Sequence, residues 1–274
     1  TREVLLMFHN IGFIGCGNMG SALTRAVCAS GESVEVRLAN RTQAKAEKLA
    51  AELGCKAAPT KLIAADCDLI FLAVKPQVMP SLLGEMAPLL RLRHDRFVLV
   101  TMAAGLTMES IRSMAGGDYP VIRIMPNTPA TIGEGVIQMC SEGVAESECE
   151  DFRRLLRRAG LVDELPEGLI DAASAVSGCG PAFACLFIEA LADGGVACGL
   201  PRDKAVRYAA QMLAGTARLC LESGDHPGAM KDAVCSPGGT TIQGVRALEK
   251  SAFRSAVFEA VTAAYEKSLE LKKG

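Results

Sequence analysis

Hydrophobic and polar positions follow two different patterns along the chain, and the change comes near residue 165. Before it, the short apolar runs at 69–74 and 97–100 alternate with segments of helical periodicity at 42–53 and 77–90. Continuous apolar runs are typical of strands that helices cover on both faces of a parallel sheet. The first part of the chain therefore predicts an α/β fold with a doubly wound sheet.

Beyond Pro166 the strand pattern ends, and helical segments rich in Ala, Gly and Leu continue to the C-terminus. Gly180-Pro181 predicts a helix start with proline in the first turn. Several of these segments carry few charges on more than one side, so one chain offers too few elements to bury them all. We predict a Rossmann-type domain over 1–165 and an all-helical domain over 166–274 that completes its core by dimerising. A compact monomeric helical cap is the alternative.

An apolar run at 11–14 leads into Gly15-Cys16-Gly17-Asn18-Met19-Gly20, where three glycines have G-x-G-x-x-G spacing. The first glycine of such a loop allows a tight turn, the second lets a pyrophosphate approach, and the third lets helix and strand pack closely. Helical spacing follows at 22–27, and a second strand is predicted at 33–39. The loop therefore predicts a dinucleotide cofactor, although a strand-to-helix turn that merely tolerates glycine would look similar.

The end of the second predicted strand bears on which dinucleotide is bound. It reads Ala39-Asn40-Arg41-Thr42, without the carboxylate that usually holds the ribose 2′-hydroxyl of NAD. Asn40 can donate hydrogen bonds, and Arg41 can bind a 2′-phosphate through charge-assisted ones. We predict NADPH as the cofactor, with NADH possible. In the alternative, Arg41 is a solvated residue at a helix start and Asn40 is an N-cap.

Composition narrows the class of protein. The 274 residues carry a net charge of −2, no Trp and three Tyr, which argues against a nucleic-acid surface. Eleven cysteines without a C-x-x-C pair predict small core residues in a reducing compartment and no metal site. The apolar run at 183–188 is interrupted by Glu189 and Asp193, and residues 1–8 lack the features of a secretory signal. We therefore predict a soluble, cytoplasmic protein without a membrane span.

A second glycine-rich stretch, Ser236-Pro237-Gly238-Gly239-Thr240-Thr241, interrupts the helical half. Pro237 and the two glycines do not suit a helix interior, and helical periodicity resumes over 241–248. The stretch predicts a loop that enters a helix N-terminus, where free N–H groups and hydroxyls can bind a carboxylate. A capped helix joint with Thr240 or Thr241 as N-cap is the alternative.

The run 234–249 resembles the signature of the pyrroline-5-carboxylate reductase family, whose members make proline from its cyclic imine with a reduced nicotinamide cofactor. The resemblance covers nearly the whole chain. Further stretches agree with it, at 73–76, 103–105, 125–129, 133–135 and 177–182. One departure is Cys179, where the family usually carries Ser.

This resemblance implies an NAD(P)H-dependent oxidoreductase that transfers hydride to 1-pyrroline-5-carboxylate and gives L-proline, the last step of proline biosynthesis. It also implies a homodimer that is often assembled further. Substrate contacts would come from Ser236, Gly238, Gly239, Thr240 and Thr241, with the Thr241 hydroxyl reaching the ring nitrogen. Cofactor contacts would come from the glycine loop and from Asn40, Arg41, Ala73, Val74, Lys75, Pro76, Ala103, Ala104 and Gly105, with Asn127 near the nicotinamide.

The candidate catalytic residues are Thr241 and Lys75. An imine nitrogen is basic enough to arrive protonated, which suits a chain whose three histidines all lie outside the motifs. Lys75 could bring positive charge to the cofactor or substrate, or it could be the solvated first residue of a turn fixed by Pro76. A β-hydroxyacid dehydrogenase is disfavoured because the helix over 180–189 lacks lysine. A cofactor-binding regulator without catalysis is disfavoured because it would not need the 236–241 loop.

Overall fold

The computed structural model describes residues 6–272, which contain eight strands and twelve α-helices; the segment 1–5, considered above for a secretory signal, lies outside it. The strands are β1 (Asn10–Ile14), β2 (Glu35–Ala39), β3 (Lys56–Ala57), β4 (Leu69–Leu72), β5 (Val98–Thr101), β6 (Val121–Pro126), β7 (Gly135–Glu142) and β8 (Gly160–Glu164). The helices are α1 (Asn18–Cys28), α2 (Gln43–Leu53), α3 (Thr60–Asp66), α4 (Met79–Leu90), α5 (Met108–Ala115), α6 (Glu146–Leu156), α7 (Ile170–Ser177), α8 (Gly180–Ala197), α9 (Arg202–Ser223), α10 (Pro227–Val234), α11 (Thr240–Lys250) and α12 (Phe253–Leu271). Short 3-10 turns span Pro76–Val78, Thr128–Ile132 and Glu167–Leu169.

The eight strands form one sheet in the order β3-β2-β1-β4-β5-β6-β7-β8. Every neighbouring pair is parallel except β6 and β7, which are antiparallel. β1 lies in register with a neighbour on each side, since Phe13 pairs with Leu38 of β2 and with Phe71 of β4. The predicted doubly wound α/β sheet is therefore confirmed.

Apolar clusters cover both faces of the sheet, as the continuous runs predicted. On one face the rings of Phe13 and Phe71 stack with centroids 4.2 Å apart, and Phe152 of α6 stacks on Phe71 at 5.9 Å. On the other face Ile70 and Leu72 of β4 lie in a cluster with residues of α3, α4 and α5. Full burial of each large apolar side chain contributes about 1.5–3 kcal/mol, so these strands anchor the unit.

One helix begins later than its periodicity predicted. The apolar pattern predicted a helix from Gln77, whereas α4 begins at Met79. Residues Pro76–Val78 instead form a 3-10 turn, closed by the Val78 N–H donating to the Lys75 carbonyl at 2.9 Å. Pro76 favours this turn because its fixed φ suits a first helical position.

The chain divides into two compact units. The first comprises the described residues through Gly178 together with those from Tyr265 onward, and the second is Cys179–Ala264. α7 belongs to the first unit, where Ile170 is buried in a core cluster of the sheet. The predicted domain boundary between residues 165 and 166 lies before α7, and it stays a prediction.

The helical unit leaves much of its apolar surface open. Among the described residues Cys179–Ala264, the buried hydrophobic side chains are alanines, whereas Leu186, Leu221 and Phe258 are 67%, 84% and 71% exposed. α8 and α9 pack along each other, but large apolar side chains remain exposed on both helices. This is the surface expected of a helical unit whose core needs another chain.

The stretch Glu167–Ala197 is long and apolar enough to span a membrane by length and composition alone. The sequence predicted no such stretch because Glu189 and Asp193 interrupt the apolar run at 183–188. The difference arises because α7 extends the helical stretch toward the N-terminus, although a turn at Gly178 separates α7 from α8. Core helices of soluble proteins satisfy the same criterion, so the finding is weak evidence for a span.

Candidate active site

The predicted cofactor residues of the first unit all follow strands of the sheet. The glycine loop follows β1, Asn40 follows β2, Lys75 follows β4, and the 103–105 segment follows β5. Because these strands are parallel, the structure brings the segments together at the carboxyl edge of the sheet. Strand order reverses on either side of β1, and the crevice at such a reversal is the usual ligand site of an open α/β sheet.

At two glycines of the loop there is no space for a side chain. Gly15 has φ +112°, and a Cβ there would overlap the carbonyl oxygen of Ala73. A Cβ on Gly20 would overlap the carbonyl oxygen of Gly15. The Gly15 N–H also donates to the Ala39 carbonyl at 2.8 Å, which ties the loop to β2. The turn and the close helix–strand packing expected from the motif are both present.

The N-terminus of α1 is open to an anion. Gly17 is the N-cap in an extended conformation, and no side chain caps the helix. Asn18 and Met19 occupy the first turn, which contains no acidic residue. A Cβ on Gly17 would meet no atom within 4 Å, so this glycine is not required by the protein's own packing. Free N–H groups and the helix dipole together favour a phosphate here.

Asn40 links the glycine loop to the β2–α2 connection. Its Oδ1 accepts a hydrogen bond from the Cys16 N–H at 3.0 Å, and its Nδ2 donates to the Thr42 carbonyl at 3.0 Å. Thr42, and not Asn40, is the N-cap of α2, so the alternative interpretation of Asn40 as an N-cap is wrong. Half of the hydrogen-bonding capacity of the Asn40 amide, one acceptor site and one N–H, is therefore used within the protein.

Arg41 is exposed, and within residues 6–272 its guanidinium forms no hydrogen bond or ion pair. It lines a cavity of about 270 Å³ together with Asn40, Gln43 and the segment 57–60. A free guanidinium beside a cavity at the end of β2 has the position and the chemistry to bind a 2′-phosphate.

The β4 and β5 ends supply the remaining candidate contacts. Ala73 donates its N–H to the Ile14 carbonyl at 2.8 Å, and Val74 beside it is half-buried. Lys75 is the residue before the 3-10 turn that starts at Pro76, and its ammonium group is exposed and unpaired within the described part of the chain. After β5, Ala103 is buried, Ala104 is exposed, and Gly105 has φ +79°. Lys75 thus places a free positive charge at this edge.

The Asn127 side chain is engaged on both sides by the protein. Its Nδ2 donates to the Ser177 carbonyl at 2.9 Å, and its Oδ1 accepts from the Val136 N–H at 2.9 Å. The Ser177 hydroxyl also accepts a hydrogen bond from Nε2 of Gln138. Asn127 therefore holds the end of α7 in place, and its predicted proximity to a nicotinamide stays a prediction.

In the second unit, the stretch predicted to bind a carboxylate forms a turn. The Gly239 N–H donates to the Ser236 carbonyl at 3.0 Å, and Gly238 has φ +68°. Gly239 is the N-cap of α11, and no side chain caps the helix. Thr240 and Thr241 are the first helical residues, so the alternative of a threonine N-cap is wrong.

This helix start therefore presents free backbone donors. Its first turn contains no acidic residue, and Ser236, Thr240 and Thr241 are exposed. Uncapped N–H groups, a helix dipole and three hydroxyls are suited to binding a small carboxylate. The described residues contain no group of three or more potential metal ligands.

A buried arginine was not singled out from the sequence. Arg123 in β6 is fully buried, and its Nη1 donates to Oε1 of Glu167 at 3.0 Å. The same Oε1 accepts the Met108 N–H at 2.9 Å, which fixes the start of α5 just after the 103–105 segment. A charged residue within an otherwise apolar strand, Val121-Ile122-Arg123-Ile124, was the signal that could have revealed this cluster.

Asp171 continues the cluster toward the C-terminal end of α12. Its carboxylate pairs with Lys272 and accepts a hydrogen bond from the Ser268 hydroxyl at 2.8 Å. Burial by itself raises the pKa of Asp171, but the bonds from Lys272 and Ser268 outweigh it and lower the pKa below its ordinary value. The cluster therefore ties the end of α12 to the sheet.

Known protein families match both units. The family described as "NADP oxidoreductase coenzyme F420-dependent" matches residues 10–105, which include the glycine loop. The family described as "Pyrroline-5-carboxylate reductase dimerisation" matches residues 167–271. The two matches follow the predicted order of a dinucleotide-binding domain and a helical dimerisation domain.

Individual relatives match nearly the whole chain. Pyrroline-5-carboxylate reductase of Escherichia coli strain K12 is 41% identical over 271 residues, which cover 97% of this chain and 100% of the relative. The Glycine max enzyme of the same name is 38% identical over 267 residues, 96% of each chain.

Two solved structures have the same fold throughout. A pyrroline-5-carboxylate reductase from Coxiella burnetii has a TM-score of 0.90 at 29% identity, and the match covers 97% of this chain and 99% of the other. A Plasmodium falciparum pyrroline carboxylate reductase with NADP bound has a TM-score of 0.82 at 31% identity, covering 98% and 99%. The chain belongs to the pyrroline-5-carboxylate reductase family.

Proposed function

We propose that this protein is an NAD(P)H-dependent oxidoreductase that reduces the C=N bond of 1-pyrroline-5-carboxylate to give L-proline, the last step of proline biosynthesis. The observation that carries the proposal is the uncapped start of α11 at Gly239, Thr240 and Thr241. It lies within a chain that matches reductases of this name over nearly their full length. A cofactor-binding protein without this reaction would have no use for a second anion site of this kind.

The carboxyl edge of the sheet fits a dinucleotide. Gly15 and Gly20 allow the tight turn because a Cβ at either position would overlap a backbone carbonyl oxygen. The α1 N-terminus would offer its N–H groups to the pyrophosphate. Arg41 would bind the 2′-phosphate, which favours NADPH over NADH. Further contacts would come from Gly17, Asn18, Met19, Ala73, Val74, Lys75, Pro76, Ala103, Ala104 and Gly105.

Asn40 and Asn127 would act on the cofactor chiefly by position. Asn40 holds the glycine loop against the β2–α2 connection, and its second amide hydrogen is left for the ribose. Asn127 would set the backbone near the nicotinamide, because its amide is bonded to Ser177 and Val136.

The start of α11 would orient the substrate. Ser236, Gly238, Gly239, Thr240 and Thr241 would surround the substrate. The free backbone N–H groups of the first turn of α11 would hold its carboxylate, with the Thr240 hydroxyl beside them. The reduced nicotinamide, when bound, supplies the hydride to the imine carbon. The Thr241 hydroxyl would hydrogen-bond the ring nitrogen, which receives the electron pair of the C=N bond as the hydride adds.

Lys75 would act through its charge. Its ammonium group is exposed and unpaired at the end of β4 within the described residues. We propose that it stabilises negative charge on the cofactor or the substrate carboxylate, while the proton on the product nitrogen is the one with which the imine arrives.

The helical unit would complete its core in a homodimer. Leu186, Leu221 and Phe258 are largely exposed in the single chain, and burying such side chains favours association. Assembly of these dimers into larger particles and a cytoplasmic location are further parts of the proposal. Neither a nucleic-acid partner nor a membrane is proposed, since the net charge is only −2 and the apolar helices are accounted for by dimerisation.

The proposal is tested by following NADPH absorbance with purified protein and 1-pyrroline-5-carboxylate, with NADH in a parallel reaction. Imine-dependent oxidation that is faster with NADPH is the expected result. Faster oxidation of NADH would keep the reaction and contradict the role of Arg41. No oxidation of either cofactor by protein that binds NADPH would contradict the proposed reaction and favour a regulatory cofactor-binding protein.

A further inference from the structure

Two thiols lie side by side in the unit that carries the glycine loop. Cys28 is the last residue of α1, and Cys55 follows α2 after the left-handed Gly54. Both pack against the same core cluster and line one cavity of about 370 Å³ that Glu35 and Lys56 also line. The two side chains interact, because each thiol changes the pKa of the other. The pair is half-buried, so small molecules can reach it.

This pair differs from the cysteines of the core. Burial raises the pKa of the Cys67 thiol to about 12 and that of Cys140 to about 11, which makes both inert. The neighbouring Cys28 thiol instead lowers the pKa of Cys55, and the interaction with Cys55 raises the pKa of Cys28. The first proton to leave therefore leaves from Cys55, and a thiolate is the species that attacks a disulfide.

We propose that Cys28 and Cys55 are a reversible disulfide site that is oxidised by small-molecule disulfides such as oxidised glutathione. The Cys55 thiolate attacks one glutathione sulfur, forms a mixed disulfide and releases one glutathione thiolate. Cys28 then loses its proton to solvent and attacks the Cys55 sulfur, which releases the second glutathione thiolate. Two protein thiols are oxidised by two electrons, and one glutathione disulfide is reduced to two thiols.

The bond would join the two helices that lie beside the cofactor edge. α1 begins at the glycine loop and α2 begins after Arg41, while Cys28 and Cys55 lie at the opposite ends of these helices. The cross-link therefore leaves the cofactor-contacting ends free and fixes the two helices to each other at their C-terminal ends. Cys16 also has its thiol in this region, so the experiment must separate the three cysteines.

Digestion with trypsin places the three cysteines in three different peptides. Cleavage after arginine and lysine leaves Cys16 in peptide 3–25, Cys28 in peptide 26–37 and Cys55 in peptide 49–56, each with a single cysteine. The protein is equilibrated with oxidised glutathione, alkylated while unfolded, digested and analysed by mass spectrometry. The expected product is peptide 26–37 joined to 49–56, about 2 Da lighter than the two thiol peptides together. It should disappear after treatment with dithiothreitol.

Two variants test the order of attack. Cys28→Ser should trap one glutathione on Cys55, because no second thiol remains to displace it. Cys55→Ser should leave Cys28 mostly as a thiol under the same conditions. A wild-type digest without the 26–37/49–56 product, while a short cysteine peptide in the same buffer is oxidised, overturns the proposal. So does a product in which Cys55 is joined to Cys16 instead.

Discussion

The backbone N–H of Cys16 donates to Oδ1 of Asn40 at 3.0 Å, so the side chain that follows β2 holds the centre of the glycine loop in position. The other end of the same amide donates to the Thr42 carbonyl. Asn40 is thus largely a structural link between two cofactor-binding segments. The neighbouring Arg41, which is unpaired within residues 6–272, is left as the residue that distinguishes NADPH from NADH.

Arg41→Ala should selectively weaken the use of NADPH. Losing charge-assisted hydrogen bonds to a phosphate costs about 1.5–3 kcal/mol, so kcat/KM for NADPH should fall about 10- to 100-fold while that for NADH changes little. Steady-state kinetics with both cofactors measure the ratio. Arg25→Ala is the matched control, because Arg25 is also an exposed arginine of this unit but is paired with Glu52. Equal losses with both cofactors would contradict the role of Arg41.

Alanine substitutions of Gly17 and Gly20 should distinguish a loss of cofactor binding from a loss of stability. A Cβ on Gly20 would overlap the Gly15 carbonyl oxygen, so Gly20→Ala should lower the free energy of unfolding by about 1–3 kcal/mol. A Cβ on Gly17 meets nothing within 4 Å, so Gly17→Ala should unfold nearly as the parent does but bind NADPH more weakly. Urea unfolding and cofactor titration measure the two effects. Equal stability losses would show that Gly17 is needed for packing.

Much of the first unit could be predicted from local pattern. The apolar run at 69–74 gave β4 within two residues, and glycine spacing gave the turn at Gly15, because both depend on short stretches of chain. Periodicity shows which face of an element is buried, but it does not show which element covers it. The α4 start was misplaced for a local reason, since the 3-10 turn after Lys75 competes with the helix for the same residues.

The polar links of the candidate site could not be predicted in this way. Asn127 bonds to Ser177 fifty residues later, and Arg123 bonds to Glu167 forty-four residues later. Such pairs form only when the sheet has brought distant segments together, and no spacing rule relates their positions. The resemblance implies that Asn127 lies near the nicotinamide, and this stays a prediction. No pattern in the sequence indicated that its amide is bonded to Ser177 and Val136.

Asp171 should make stability depend on pH in the acid range. The pKa of Asp171 in the folded state lies below the unfolded value of about 3.9. Its contribution to the free energy of unfolding is therefore fully present above about pH 3.9 and is lost as the pH falls through the folded-state pKa. Asp171→Asn would remove the carboxylate that pairs with Lys272 and lies 3.9 Å from Nη2 of Arg123, at a cost of about 3 kcal/mol at neutral pH. Urea unfolding of both proteins between pH 3 and 7 should show the difference shrinking below about pH 4. A difference independent of pH would mean that the Asp171 charge contributes nothing.

Thr241→Ala should slow imine reduction without weakening NADPH binding. Thr241 is an exposed residue in the uncapped first turn of α11, and its proposed hydrogen bond strengthens as electron density reaches the ring nitrogen. Loss of a hydrogen bond made mainly in the transition state should lower kcat about 10- to 100-fold. NADPH affinity, measured by titration, should not change, and Thr241→Ser should recover most of the rate because it keeps the hydroxyl. If the alanine and serine variants turn over alike, then the hydroxyl takes no part, and the start of α11 acts on the substrate through its backbone alone.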